Sequence, residues 1–533
     1  MEDRNGYPAQ VLAEKARTQP DDVYLLFDDN RITYRRLNER VNRLANGLRE
    51  LGAHAGDGIA IMMPNRPEWL YAFFATQKLA AYAVPVNIGL KGEGLSYILN
   101  HSEARYLIVG AELIPQVMPI RTGVSGIQKI IVDTSETELP DDTMPADAIL
   151  LGDVMDSSSA DEPDAAIDPA AISSLMYTSG TTGLPKGVVM CYGATNLSSN
   201  PMLLLRIYRD GDILYTCLPL FHANALFLTV IRALAEGLTV ALSRRFSASR
   251  FWDEIRRYGA TTFNALGAMI PILLKQPPRP DDADNPVRVV LSAATPAWAW
   301  EQFEKRFDVT IWEGYGAVDG GGFTILNFGW APKGSMGKPP PGVEAKVVDE
   351  EGNEAPSGKV GNLIFKVDRP EARRVDYFKN AEASNSKIRD GWFYTGDLAW
   401  RDGEGNFYFA DRKTDSMRRR GENISSFEVE KIVNQHPAVL ESAAFGVPSE
   451  LGEDDVMIAV VLKPGGSVAP EELVRFCDER MASFMVPRYI DFRASLPKTE
   501  THRVQKAVLK KESVTSDTWD RSTGAPIGDR AQT

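Results

Sequence analysis

Short apolar runs alternate with helical segments through the first part of this 533-residue chain, and that alternation restricts the fold more than any other feature. From Thr33, read as an N-cap, apolar residues recur at Leu37, Val41, Leu44, Leu48 and Leu51, and Gly52 is placed to stop the helix. Ile59–Met63, closed by Pro64, has the composition of a buried strand, and Tyr106–Val109 and Ile130–Val132 repeat the pattern after further helical segments. Strands separated by helices cannot pair as hairpins. They build a largely parallel α/β sheet, with ligands expected at the carboxyl ends of its strands. A chain that is 44% hydrophobic and 25% charged can supply the core such a sheet needs.

The pattern changes along the chain. Residues 134–170, rich in Asp, Pro, Ser and Ala, read as an irregular surface connection. After Pro339-Pro340-Pro341-Gly342 come short alternating segments, Val343–Val348 and Gly361–Val367, which predict a small β-rich subdomain. Beyond Asp411-Arg412-Lys413-Thr414 a compact α+β pattern runs to about Lys511, and the polar tail from Ser513 to Thr533 is expected to be disordered. The organisation expected is a large multi-subdomain α/β body over 1–413, a small α+β domain over 414–512, and a tail over 513–533.

With 59 Lys and Arg against 72 Asp and Glu, the net charge of −13 argues against wholesale binding of nucleic acid or anionic membranes. A local basic patch could still hold a phosphorylated ligand. Cys191, Cys217 and Cys477 are scattered, as are the five histidines, so neither a disulfide framework nor a metal spacing is legible. Met1–Asn5 has no apolar signal core, and no run of 18 apolar residues follows; no membrane span and a cytoplasmic location are the expectation.

The strongest local signal is Tyr177-Thr178-Ser179-Gly180-Thr181-Thr182-Gly183-Leu184-Pro185-Lys186-Gly187. Small hydroxyl residues and glycines leave backbone N–H groups free to approach phosphate oxygens, and Lys186 adds a cation. It is not a Walker A loop, because Pro185 stands where the second glycine would fall and no Lys-Ser/Thr pair follows. A flexible surface turn is the plain alternative, and the density of hydroxyls and glycines around one lysine argues against it.

On this loop, and on further motifs in the same order, residues 10 to 511 resemble the adenylate-forming superfamily of acyl-CoA synthetases, carrier-protein adenylation domains and luciferases. The resemblance implies two steps: a carboxylate attacks the ATP α-phosphate to give an acyl-adenylate, then a mobile C-terminal domain swings and a thiol displaces AMP. It implies that Thr178, Ser179, Gly180, Thr181, Thr182, Gly183 and Lys186 cradle phosphate. Ser292-Ala293-Ala294 and Glu313-Gly314-Tyr315-Gly316 would border adenine. Asp397, in Tyr394-Thr395-Gly396-Asp397, and Arg412 would hold the ribose. His222, in Leu218-Pro219-Leu220-Phe221-His222, would border the acyl and pantetheine channels. Thr414 stands at the pivot. In Arg418-Arg419-Arg420-Gly421-Glu422-Asn423-Ile424, Gly421 would pass the pantetheine arm beside Glu422, and the arginines, Arg420 among them, suit a CoA phosphate.

Besides His502 and Thr414, three positions depart from the family pattern at groups used to build the adenylate. The family ends its core with Pro-Lys-Thr-x-x-Gly-Lys; here Pro497-Lys498-Thr499-Glu500-Thr501-His502-Arg503 puts Arg503 at the catalytic lysine position. In Tyr315-Gly316-Ala317-Val318-Asp319, Val318 replaces a phosphate-binding Thr, and Asp319 replaces the Glu that helps hold Mg²⁺. All three serve adenylate formation. The expectation is therefore an enzyme that joins a supplied acyl-adenylate to CoA, releasing acyl-CoA and AMP, with a separate adenylating enzyme as partner. Alternatives are a complete ATP- and Mg²⁺-dependent carboxylate–CoA ligase, with Arg503 or Lys506 in place of the lysine, loading of a carrier-protein thiol, and a non-catalytic adenylate- or AMP-binding protein. Gly267, Gly320 and Gly321 suggest room for a bulky, mainly apolar acid.

Overall fold

The computed structural model describes residues 6–137, 144–145, 147–178, 185–199, 207–266, 269–320, 322–367, 376–413, 415–419, 422–449, 454–481, 483–499 and 503–528, without the side chains of 199, 367, 418, 422 and 423. Among them, two sheets form the body. The first runs, in spatial order, Ala148–Leu150, Lys129–Asp133, Ala104–Gly110, Gly58–Met62, Tyr82–Pro85, Ile172–Thr178 and Lys186–Cys191. Its interior pairs are parallel, and only the last pair is antiparallel. The second runs Gly322–Asn327, Thr310–Ala317, Val289–Ala293, Thr262–Leu266, Ile213–Thr216, Thr239–Leu242, Val23–Phe27 and Asn30–Thr33, again parallel inside and antiparallel at its two edges. This is the α/β arrangement that the alternation predicts.

Helices Tyr34–Glu50 and Pro67–Lys78 belong to the core that joins the two sheets. The Thr33 hydroxyl accepts the Arg36 N–H at 3.2 Å, capping the first of them as expected. Leu37, Val41, Leu44 and Leu48 form its buried stripe, and Gly52 follows the end with φ +94°. Every residue of Pro67–Lys78 except Glu68 is buried, the condition of a helix packed on nearly all sides.

The stretch 134–170 differs from its expected irregularity. It contains a strand, Ala148–Leu150, and a helix, Leu151–Ser157, whose Leu151, Val154 and Met155 are buried in the main core. Two asparagines of Tyr34–Glu50 then hold the polar segment that follows: Asn42 Nδ2 donates to the Ala160 carbonyl at 2.9 Å, and Asn46 Nδ2 to those of Ser159 and Asp161 at 2.8 and 2.9 Å. Satisfied carbonyls let a polar sequence lie against a core.

The β-rich subdomain is present as Val343–Val348, Gly361–Val367, Trp392–Arg401 and Ile388–Arg389, with Phe407–Arg412 pairing Trp392–Arg401. The C-terminal domain carries helix Ser426–Val433 and a sheet ordered Val439–Pro448, Asp454–Leu462, Tyr489–Phe492, Trp519–Asp520, Ala525–Pro526. The last two strands lie in the tail expected to be disordered, and through Gly528 that expectation is corrected. Trp519 is 6% exposed within the domain core, Asp520 is fully buried, and Arg488 reaches Asp520 at 3.4 Å. One large apolar side chain and one ion pair outweigh a polar composition. Trp519→Ala is therefore expected to destabilise the domain by roughly 3–5 kcal/mol, measured as a lower urea midpoint; a midpoint within error of the parent would return the tail to disorder. No helix among the described residues is long and apolar enough to cross a membrane.

Candidate active site

The carboxyl ends of Thr262–Leu266, Val289–Ala293 and Thr310–Ala317 open into a cleft of about 2830 Å³, walled also by strands Ile172–Thr178 and Lys186–Cys191 of the first sheet, the β-rich subdomain and the C-terminal domain. This is where a parallel sheet places its ligand.

Ala293 and Ala294 line one wall, and Ser292 lies buried behind them. Ala294 is held at φ +66°, a left-handed conformation that costs a side-chain-bearing residue free energy. Glu313, in register with Ser292 on the adjacent strand, holds it there: its carboxylate accepts the N–H groups of Ala294 and Thr295, while Thr295 Oγ1 donates to Ser292 Oγ at 2.6 Å. Burial raises the Glu313 pKa to about 8, against the lowering pull of Thr295 and the Ala294 and Thr295 amides. Because the folded-state value is raised, the stability Glu313 contributes is complete below about pH 4.5 and declines as pH rises to about 8. Glu313→Gln keeps an acceptor without the titration, so the variant is expected to lose this downward slope of Tm between pH 5 and 9; an unchanged slope would assign it to another group.

Gly314 and Gly316 also border the cleft, but the adjoining strand dictates their lack of a side chain. A Cβ at Gly314 would stand 2.6 Å from the Phe323 ring, and one at Gly316 would stand 2.2 Å from the Gly322 carbonyl oxygen. Tyr315 turns its hydroxyl to Asp397, donating to Oδ2 at 2.6 Å; burial first, and Asp397 second, keep that phenol protonated. Asp397 and Arg412 are direct cross-strand partners, with Arg412 Nε 3.6 Å from Asp397 Oδ1. Register alone therefore brings together a carboxylate and a cation from two motifs.

Arg503 faces the same place. It keeps solvent contact, yet the cleft walls strip part of its hydration; that loss, then Arg412, lowers its pKa, while Asp415 and Asp397 act in the opposite sense. Lys506 does not share this role. Its ammonium lies 2.7 Å from half-buried Glu430 and donates to the Ser426 hydroxyl, while the Ser426 backbone N–H donates to Asp411 at 2.6 Å.

Asp319 meets a group not anticipated from sequence. Tyr377 donates its hydroxyl to Asp319 Oδ2 at 2.5 Å, and Lys186 Nζ lies 5.2 Å above the Tyr377 ring. Burial, then Asp319, raises the Tyr377 pKa. Val318 packs into the cluster of Met176, Val188, Phe365, Tyr377 and Phe393, an apolar setting for the side chain that lacks a hydroxyl. Among the described residues no three His, Cys, Asp or Glu side chains gather around a metal position. Asp319 offers a single carboxylate, which suits a Mg²⁺ held chiefly by nucleotide phosphates and water.

His222 lines the cleft with its ring 4.7 Å from Phe221. Its Nε2 is buried and has no hydrogen-bond partner among the described residues; burial lowers the pKa to about 4, so the imidazole is neutral at pH 7. Gly320 corrects the acyl-pocket reading: a Cβ there would meet Phe365 at 2.5 Å and Phe393 at 2.9 Å, so its missing side chain serves packing and adds no pocket volume. Arg419 is likewise spent within its domain, on Asp455 at 3.2 Å and the Phe484 and Val486 carbonyls, and is not available to CoA. Thr178 and Lys186 pair across the strands that flank the phosphate loop. Ser179, Gly180, Thr181, Thr182 and Gly183, with Gly267, Gly321, Thr414, Arg420, Gly421 and the Glu422 side chain, lie outside the described residues.

Residues 12–368 match the AMP-binding enzyme family, and residues 428–503 match the AMP-binding enzyme C-terminal domain. The chain belongs to the AMP-binding enzyme family. A crotonobetaine/carnitine–CoA ligase of Escherichia coli O7:K1 (strain IAI39 / ExPEC) is 30% identical over 489 residues, 90% of this chain and 93% of the relative. The anthranilate CoA ligase AuaEII, solved in complex with anthranoyl-AMP, superimposes with a TM-score of 0.86 at 27% identity, over 96% of this chain and 97% of its own. A benzoate CoA ligase from Burkholderia xenovorans LB400 gives 0.83 at 28%, over 95% and 99%. These relatives place this AMP-binding enzyme in the acyl-CoA ligase branch of its family. Tyr377 is the residue of its cleft that sequence reasoning missed: it stands 58 positions from Asp319 in no motif, so no local signal could have found it.

Proposed function

We propose that this AMP-binding enzyme is a complete carboxylate–CoA ligase, and that Arg503 serves as the cation of its first half-reaction. The carrying observation is that Arg503 lies in one cleft with Asp397 and Arg412, whereas Lys506 is bound to Glu430. Curated and solved relatives named as CoA ligases, one holding an acyl-AMP, support the same reading.

In the first half-reaction a carboxylate oxygen of the acid bonds to the α-phosphorus of ATP and the bond to pyrophosphate breaks. Asp397 accepts the ribose hydroxyls, steadied by Tyr315 and Arg412. The Glu313-held loop places Ala293 and Ala294 flat against adenine. Lys186 draws the leaving phosphates, and Arg503 takes the charge that grows between carboxylate and α-phosphate. Asp319 would hold a Mg²⁺ arriving with ATP, which would supply charge neutralisation to the phosphates. In the second half-reaction the CoA thiolate bonds to the acyl carbon and AMP leaves. With its pKa lowered to about 4 by burial, His222 is too weak a base to hold the thiol proton, and it borders the reacting carbonyl without acting as a general base. Thr414 is the proposed pivot between the two arrangements. The acyl group is proposed to be apolar, because Phe227, Leu228, Ile231 and Leu266 line the cleft.

A second reading, thioester formation from a supplied adenylate with a separate adenylating partner, is favoured by Val318, which offers no hydroxyl, and by Asp319, already engaged by Tyr377. Measuring the half-reactions separately decides between them. A complete ligase shows acid-dependent ATP–pyrophosphate exchange with a panel of aryl and branched acids, as well as AMP release from synthetic acyl-adenylate and CoA. Thioester formation without exchange from any acid in the panel, including the acid of the adenylate used, would establish the second reading. Adenylate binding with neither reaction would leave a non-catalytic protein.

A further inference from the structure

Three lysines line the cleft where the body meets the C-terminal domain, near enough to interact with one another. Lys275 follows helix Met269–Leu274 of the body; Lys463 follows strand Asp454–Leu462, and Lys498 precedes the Arg503 segment. All three line the cleft, together with Glu441. Lys498 is neutralised by Glu441, Nζ to Oε2 at 2.5 Å. Lys463 donates to the Pro437 carbonyl at 2.6 Å, which leaves its charge uncompensated. Lys275 Nζ has neither a hydrogen bond nor an ion pair among the described residues, although it is half-buried. After the one internal pairing, two positive charges remain, one on each side of the boundary.

Half-buried ammonium groups of like charge repel and lose hydration, which is unfavourable unless an anion joins them. Lys275 registers this: burial first, then Lys463, with Lys498 also opposing, lowers its pKa to about 8 against the pull of Glu441. An arrangement held together against such repulsion is complementary to a dianion with several acceptor oxygens. Phosphate has that charge and shape near neutral pH.

We propose that Lys275, Lys463 and Lys498 form a binding site for a phosphate-class dianion that bridges the body and the C-terminal domain. Lys498 reaches the site from the segment that pairs with Val504, next to Arg503. Because Lys275 belongs to one domain and the other two lysines to the other, the site is complete only when the domains lie as they do here. Its occupation therefore favours this arrangement.

The test is calorimetric titration of the full chain with sodium phosphate at pH 7 and constant ionic strength, with no acid, ATP or CoA present, so the result is independent of the activity proposed above. One saturable phosphate is expected to bind to the parent protein through this site. Lys275→Met and Lys463→Met are each expected to weaken it at least tenfold, while Arg503→Met leaves it within twofold. Phosphate should raise the Tm of the parent and fail to raise that of Lys275→Met. If Lys275→Met does not fold, judged by circular dichroism, Lys463→Met decides alone. Failure of the parent to saturate, equal affinity in the lysine variants, or loss in Arg503→Met instead, would each overturn the site. CoA and dephospho-CoA then identify the source: competition by CoA alone assigns the site to a 3′-phosphate carried by CoA, and competition by neither assigns it to free phosphate.

Discussion

Arg503→Ala is expected to lower acid-dependent ATP–pyrophosphate exchange by about 10²–10³-fold, the scale on which loss of one preorganised charge stabiliser is felt. The expectation rests on position: Arg503 is within electrostatic reach of Arg412, Asp415 and Asp397, at the end of the cleft where ribose and α-phosphate would lie. Thioester formation from synthetic acyl-adenylate should fall by less than about tenfold, because displacement of AMP from a mixed anhydride depends more on positioning than on a strong cation. Arg503→Lys is expected to retain most of the exchange, since an ammonium can stand in the same place, although it lacks the planar fork with which a guanidinium meets two oxygens in parallel. Exchange at the parent rate in Arg503→Ala would show that another group supplies the charge. A parallel fall in both half-reactions would show that Arg503 acts on folding or on nucleotide binding.

The second large effect is expected at Asp397, and it should strike both half-reactions. Asp397→Ala removes the acceptor of the Tyr315 hydroxyl and the partner of Arg412, leaving a buried phenol and an adjacent cation uncompensated. It also removes the two bonds proposed for the ribose. Bonds to a charged acceptor contribute about 1.5–3 kcal/mol each, so pyrophosphate exchange and thioester formation should each fall by about 10²–10⁴-fold. Asp397→Asn, which keeps an oxygen and loses the charge, should fall less. The two changes separate by KM: weakened nucleotide binding appears there in Asp397→Asn, with the Tm of the parent retained. A variant with normal kinetics in both steps would remove Asp397 from the nucleotide site.

Local sequence carries some of these relationships. Asp397 and Arg412 were legible because each sits in its own short motif, and the antiparallel pairing of Trp392–Arg401 with Phe407–Arg412 needs only a turn between them. The Thr33 cap and the Leu37–Leu48 stripe were legible because a helix repeats its contacts every three or four residues. Gly320 was misleading for the complementary reason. A glycine in a cleft-lining segment can mark empty space or a tight neighbour, and the neighbours, Phe365 and Phe393, arrive from the β-rich subdomain. The tail misled similarly: its composition is polar, yet Trp519 and Val514 pack on the domain core and Asp520 pairs with Arg488.

By itself, the sequence determined the parallel α/β body, the small C-terminal domain and membership of an adenylate-forming family, because periodicity and loop chemistry act over a few residues. Both cations, three residues apart, line the cleft, and tertiary structure decided which of them is already held by an ion pair. Glu430 claims Lys506 from a helix more than seventy positions earlier in the chain, and Arg503 is left to face Asp397. It likewise decided that Tyr377 covers Asp319 and that Glu313 fixes Ala294. Pairings of this kind depend on how separate elements stack, and their free energy exists only once desolvation has brought the groups together.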